Sequence, residues 1–306
     1  MKKEKSEIQY CNIAKKVLLT KWEEYIHTLQ SNVDLLRSLN PDSIHDVRVT
    51  SRRIRALFTE LKPFYQFSEE LVNISKTITQ LLGKRRELDV IKELLPNILP
   101  HNSPLITHFG NYIDSKREQE SIHCLRAVEL VTTLIEYHQS ILDLPQVGVE
   151  CYVKVLEKRL PKLQGKLIKI RKKIKKTSEE EKLNGDEIHQ IRIRLKKIRY
   201  SLEISGILLD EVKEFLPYLK EVQEILGEWN DKRVFLSYLE EFKTCSSRGL
   251  STEITSGLDD IRYNLQNLIE QKIPEIRSII LKNFNKQHLE YLNKGLKKLN
   301  KINCCK

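Results

Sequence analysis

Three observations predict an all-α fold. Gly and Pro number only 10 and 9 in 306 residues with 40% hydrophobic content, which favours long helices over a turn-rich β protein. No convincing period-2 alternation runs through any part of the chain. The stretch Ile44–Ala56, IHDVRVTSRRIRA, has helical amphipathicity and returns 144 residues later as Ile188–Tyr200, IHQIRIRLKKIRY. The offset holds outside the motif, because Asn40 and Asn184, and Gly83 and Gly227, are also 144 apart. The chain therefore reads as a duplicated unit.

Residues 1–9 are a charged start that is expected to fray. Residues 10–39 read as one amphipathic helix, with Trp22, Tyr25, Ile26 and Leu29 at core spacing. The first basic helix is expected over about 41–62, capped at Asn40, with Pro41 at its first position and Pro63 near its end. Glu69–Leu82 continues helical, and Gly83 permits a break before Lys84, Arg85 and Arg86. Pro96–Pro104, PNILPHNSP, is a loop by composition, and its His101 is incidental. One long helix is expected over 105–142. It spaces His108, His123 and His138 by 15 residues each, about 22 Å, too far to share a metal. Leu144–Gly148 is the expected connector between a unit of residues 10–143 and one of 149–303.

Residues 149–176 repeat the opening helix, with Pro161 and Gly165 weakening its middle. Its end, KLIKIRKKIKK, alone would pass for a membrane-surface or nucleic-acid helix. The plainer reading is a solvated helix end whose cations complement the dipole and draw a polyanion from a distance. TSEEEKLNG is an acidic loop. Asn184, with Glu187 three residues on, has the spacing of a capping box and opens the second basic helix. Val212–Leu226 follows, and Gly227 with Glu228, Trp229, Asn230 and Asp231 is the counterpart of the turn at Gly83. Thr244–Ser256 is loop-like, and 258–302 is helical with a kink near Pro274. Cys304, Cys305 and Lys306 are expected to form a disordered tail.

Counted from the histidine of each basic helix, cations recur at +3, +7, +8 and +10: Arg48, Arg52, Arg53 and Arg55, then Arg192, Lys196, Lys197 and Arg199. Arg194 adds one more to the second helix. At about 100° per residue, positions 0, +3, +7 and +10 share an arc roughly 80° wide. Val47, Ile54, Phe58 and Leu61 lie opposite in the first copy, and Ile191, Ile198, Leu202 and Leu209 in the second. A basic helix face is commonly just solvated. Here it carries almost no acidic partner at i±4, and it occurs twice with Arg at +3 and +10. Arg offers a planar fork suited to phosphate oxygens. His45 and His189 read as hydrogen-bond donors or switchable charges facing an anion. Charged histidines would strengthen binding as pH falls through about 6.5.

The net charge of +11 and a pI near 9.2 call for a polyanionic partner: polyphosphate, nucleic acid or an anionic membrane face. The six cysteines (Cys11, Cys124, Cys151, Cys245, Cys304 and Cys305) contain no C-x-x-C pair and suggest neither a disulfide framework nor a zinc site. The charged start has no apolar core and is not a signal peptide, and no apolar run approaches the roughly 18 residues that span a bilayer. A reduced, cytoplasmic protein without cofactor or metal is expected.

At the residues His45–Arg55 (H-x-x-R-V-x-x-R-R-I-R) and His189–Tyr200 (H-x-x-R-I-R-x-K-K-I-R-Y), the sequence resembles the CHAD family of histidine-containing α-helical domains. LLGKRRELDVIKELL at Leu81–Leu95 and VQEILGEWNDKRVFLSYL at Val222–Leu239 reinforce the resemblance, which covers roughly residues 10–300. It implies two helical bundles related by a pseudo-two-fold axis, with the basic helices lining a central cavity. It also implies binding of inorganic polyphosphate by the histidines and cations named above. Arg86 is placed at the cavity rim, with Asp89 orienting a neighbouring Arg. Lys196 and Lys197 replace the Arg52 and Arg53 of the first copy, and Glu87 stands where many members have Asp.

The function expected is a stand-alone polyphosphate-binding module, of the kind that localises to polyphosphate granules and their proteins. An alternative is an enzyme of polyphosphate or nucleotide phosphoryl transfer. The chain has no GxxxxGK[ST] and no E-x-E-x-K, and the acids near the motifs reduce to Asp46, Asp89 and Asp231. A nucleic-acid binder is the third reading. Its stacking surface is missing, since aromatics are 7% and lie mostly on apolar faces.

Overall fold

Asn40 and Asn184 hold extended backbone, and their side chains accept from the backbone N–H of Ser43 (3.0 Å) and Glu187 (2.8 Å), so both basic helices begin on an asparagine cap. The Glu187 carboxylate pairs with Lys173 at 2.6 Å. The computed structural model describes residues 2–62, 68–99, 103–143, 149–177, 183–246 and 251–303. Among these the chain is helical, with no strand. The predicted connector at 144–148 and the tail at 304–306 lie outside the described residues.

The first half comprises α1 (Lys2–Arg37), α2 (Pro41–Leu61), α3 (Ser68–Ile98), α4 (Pro104–Gln119) and α5 (Ser121–Leu142). The second comprises α6 (Val149–Lys176), α7 (Gly185–Gly206), the short α8 (Asp210–Lys213), α9 (Leu216–Ser246), α10 (Thr252–Asn283) and α11 (Lys286–Asn303). Between α1 and α2, Asn40 N–H donates to Leu35 C=O and Leu39 N–H to Leu36 C=O, both at 3.0 Å, the pattern of a Schellman motif. Leu39 takes the left-handed position with φ 62°, normally a glycine's, and packs its side chain on the core.

Several expected boundaries are corrected. No turn forms at Gly83 or Gly227, because α3 and α9 run straight through them. Gly83 is flanked by buried Leu82 and Leu88, and Gly227 by buried Leu226 and Trp229, so packing outweighs the propensity cost of about 1 kcal/mol. The segment 105–142 is two helices, broken at Glu120, so its three histidines do not share one helix. Pro96 lies within α3, whereas α6 has the expected bounds of 149–176, with Pro161 and Gly165 inside it. The helix expected over 258–302 is two, since α10, which contains Pro274, ends at Asn283 with Phe284 as its cap residue and α11 follows. There Asn285 caps the next helix, accepting from His288 N–H at 2.8 Å. The first helix begins at Lys2 rather than at about residue 10. Leu209 lies beyond α7, as the cap residue of α8.

The apolar stripes predicted for the basic helices are buried: Val47, Ile54, Phe58 and Leu61 on α2, and Ile191, Ile198 and Leu202 on α7. Two hydrophobic clusters result, and each draws on both halves. The larger includes Trp22, Phe58, Leu167, Trp229 and Phe284. The smaller joins Leu88, Ile91 and Phe109 to Phe235, Phe242 and Leu258. The packing of α2 on α7 and of α3 on α9 brings the basic faces of the two halves together.

Candidate functional site: a cationic cavity between the halves

Four helices bound a cavity of about 200 Å³. α2 contributes His45, Arg48 and Arg52; α3 contributes Arg86, Glu87 and Val90; α7 contributes Arg192 and Lys196; α9 contributes Asn230, Asp231 and Val234. Matched positions 144 apart face one another across it, such as Arg48 with Arg192, Glu87 with Asp231 and Val90 with Val234. Each cation sits on the side of its helix away from the core stripe, which turns it inward where α2 meets α7.

The electrostatics are those of half-buried cations crowded together. Burial, then Arg52, lowers the pKa of Arg48 to about 10 against the pull of Glu87. Burial also lowers Arg192, with Asp231 opposing. Lys196 is driven down to about 6 by burial and then by Arg192, Arg52 and Arg48, with Asp231 resisting. His45 is lowered by burial and by Arg86, so its ring is neutral at neutral pH in the free protein. Glu87 is raised by desolvation, which Arg48 and Arg192 only partly offset. The Nε groups of Arg48 and of Arg192 are both buried with no hydrogen-bond partner among the described residues.

Six of the twelve residues expected to bind anion therefore meet in this cavity: His45, Arg48, Arg52, Arg86, Arg192 and Lys196. Arg86 also pairs with Glu93 at 2.9 Å. The other six are elsewhere. His189 is held by Asn230, whose side-chain oxygen lies 3.1 Å from Nδ1. An amide oxygen can only accept, so that nitrogen carries the proton. Arg53 and Arg199 share Glu203, at 3.8 and 3.2 Å. Arg55, Arg194 and Lys197 line a second depression against α6, where Arg52 also reaches. Of the remaining cations at Gly83, Arg85 points away from the cavity. It is 5% exposed and donates to Asp89 (3.1 Å) and to Arg117 C=O (3.2 Å). Asp89 thus orients Arg85 and Arg117, neither of which lines the cavity.

Asn230, Asp231 and the cavity-facing Glu87 are not among the site residues the sequence predicts, although Asn230 and Asp231 fall in the predicted counterpart of the segment at Gly83. A signal for Asn230 exists in the sequence, since the 144-residue offset makes it the counterpart of Arg86. Among the described residues, no group of three or more His, Cys, Asp and Glu is placed to hold a metal ion, and no helix is long and apolar enough to cross a membrane.

A protein that is helical throughout its described residues, with a cation-lined cavity between four of its helices, is the class that fold and site define. Residues 21–240 match the CHAD domain, and the chain belongs to that family. The structure is similar to that of the CHAD domain from the plant Ricinus communis, with a TM-score of 0.64 at 19% identity, covering 87% of this chain and 91% of that one. It is also similar to PptA from Streptomyces chartreusis, with a TM-score of 0.59 at 13% identity, covering 90% and 99%. No curated protein matches the sequence.

Proposed function

We propose that this chain binds inorganic polyphosphate in the cavity between α2, α3, α7 and α9, as a binding module and not as an enzyme. The observation that carries the proposal is the pair of buried, unpartnered Nε donors on Arg48 and Arg192, set in a cavity whose carboxylates are Glu87 and Asp231. A buried Nε–H without an acceptor is costly, and an anion that brings several oxygens can satisfy it together with the rest of the half-buried guanidinium. A repeating phosphate chain supplies such oxygens to both halves at once. Membership of a family associated with polyphosphate supports the same reading. In a cytoplasm that stores the polymer, such a module would sit at polyphosphate granules.

Calorimetric titration of long-chain polyphosphate into the wild type and into the double variant Arg48→Ala, Arg192→Ala, at two salt concentrations, tests this. The expected result is salt-sensitive binding that the double variant loses. A wild type that does not bind would overturn the proposal. Release of orthophosphate during a long incubation would replace the binding module by an enzyme.

A further inference from the structure

The second depression, about 990 Å³, lies between α2, α6 and α7 and has Arg52 in common with the central cavity. Its walls carry Arg55 from α2, Lys166 and Lys169 from α6, and Arg194 and Lys197 from α7. None of these five has a carboxylate within ion-pair distance among the described residues, whereas Arg159 is taken by Glu60 (2.7 Å) and Lys173 by Glu187 (2.6 Å). The path goes on over a shallower depression lined by Lys169, Lys172, Lys173 and Lys176. The basic end of α6 is thus one wall of a groove that begins at the cavity mouth.

The positions 144 residues away are built differently. The position 144 residues after Thr59 is Glu203. Thr59 leaves Arg55 and Lys197 without a carboxylate, while Glu203 holds both of their counterparts, Arg199 and Arg53. The residues 144 before Lys166 and Lys169 are Trp22 and Tyr25. Trp22 is buried, and Tyr25 sits near Arg53 and Glu203, with its hydroxyl pushed up to about 12 mainly by burial. The groove, which Glu60, Asp186 and Glu187 also line, leaves these five cations without an ion pair among the described residues, whereas Glu203 neutralises the counterparts of Arg55 and Lys197. Among the described residues that line the groove the one aromatic, Tyr200, is only 6% exposed, so these residues present phosphate-binding charge without a stacking surface for bases.

We infer that the α2–α6–α7 groove is a one-sided exit path, along which a long polyphosphate chain continues past Arg52 after filling the central cavity. This rests on the cavity binding polyphosphate. It makes the chain-length preference directional: a short oligomer uses the cavity alone, and a long one gains additional contacts on a single flank.

The experiment compares tripolyphosphate with long-chain polyphosphate on the full chain, for the wild type, Lys166→Gln with Lys169→Gln, and Thr59→Glu. All three positions are exposed, so folding is preserved. Thr59→Glu places in the groove the carboxylate that Glu203 supplies to the counterparts of Arg55 and Lys197. Both variants are expected to weaken long-chain binding about tenfold and to lower its salt slope, with tripolyphosphate binding unchanged. Unchanged long-chain affinity in both variants, with the wild type binding both ligands, overturns the exit path and leaves the cavity site standing. A wild type that binds neither ligand removes the cavity site itself. Loss of duplex DNA binding in the variants at matched ionic strength, with long-chain polyphosphate unaffected, would also overturn the path and reassign the groove to nucleic acid.

Discussion

Lys196 faces Arg48 and Arg52 from α2, Glu87 from α3, Arg192 from its own helix and Asp231 from α9. With its pKa near 6 it is largely uncharged in the empty cavity at neutral pH. A bound polyanion favours the ammonium, so binding should take up protons. Affinity for long-chain polyphosphate is therefore expected to rise as pH falls from 8 towards 6 and to level off near 6, with calorimetry in two buffers measuring the proton uptake. Lys196→Met should flatten most of that dependence; an unchanged profile would shift the effect to His45. The sign for stability is opposite. A lysine whose folded pKa lies below its unfolded value destabilises the fold fully below about 6, and this cost fades as pH rises towards the ordinary lysine value. Lys196→Met is thus expected to raise the Tm at pH 6 while weakening binding, the trade expected where a site stores unfavourable charge.

At the scale of elements, α3 must be held along its length, because its cavity face is charged and its opposite face carries a buried ion network. Asp89, 2% exposed, accepts from Arg85 Nε at 3.1 Å and from Arg117 Nε at 2.9 Å, tying α3 to α4. Removing one partner of a buried network leaves uncompensated charge. Asp89→Ala should cost about 3 kcal/mol in urea unfolding, while the folded protein keeps its polyphosphate affinity, since neither Arg faces the ligand. The element boundaries follow the same competition between local signal and packing. Asparagine caps were legible at Asn40 and Asn184, because a cap is satisfied by its own next turn. The supposed turns at Gly83 and Gly227 were not, because long-range burial of Leu82, Leu88, Leu226 and Trp229 carries the helix across the glycine.

At the scale of the molecule, the two halves share both hydrophobic clusters, and the cavity takes two helices from each. Separating the chain at 144–148 should therefore yield fragments that neither fold nor bind polyphosphate alone. Mixing or co-expressing them should recover helicity and binding together, as read by circular dichroism and titration. A fragment that binds as tightly as the whole chain would place the site in one half. The net charge of +11 belongs to this scale too, as a long-range attraction for a polyanion.

The sequence by itself determined the helical class, the starts of the basic helices and which of their faces is core, because these depend on periodicity and on hydrogen bonds within a few residues. It also identified the cations, since Arg and Lys types at repeated spacing are visible without a fold. Tertiary structure alone decided which of them act together. His45, Arg48, Arg52, Arg86, Arg192 and Lys196 share a cavity, Arg53 and Arg199 are neutralised by Glu203, and Arg55, Arg194 and Lys197 turn towards α6. Periodicity gives an angle around one helix, whereas a partner's position depends on how two helices cross, which is set by burial far away in the chain.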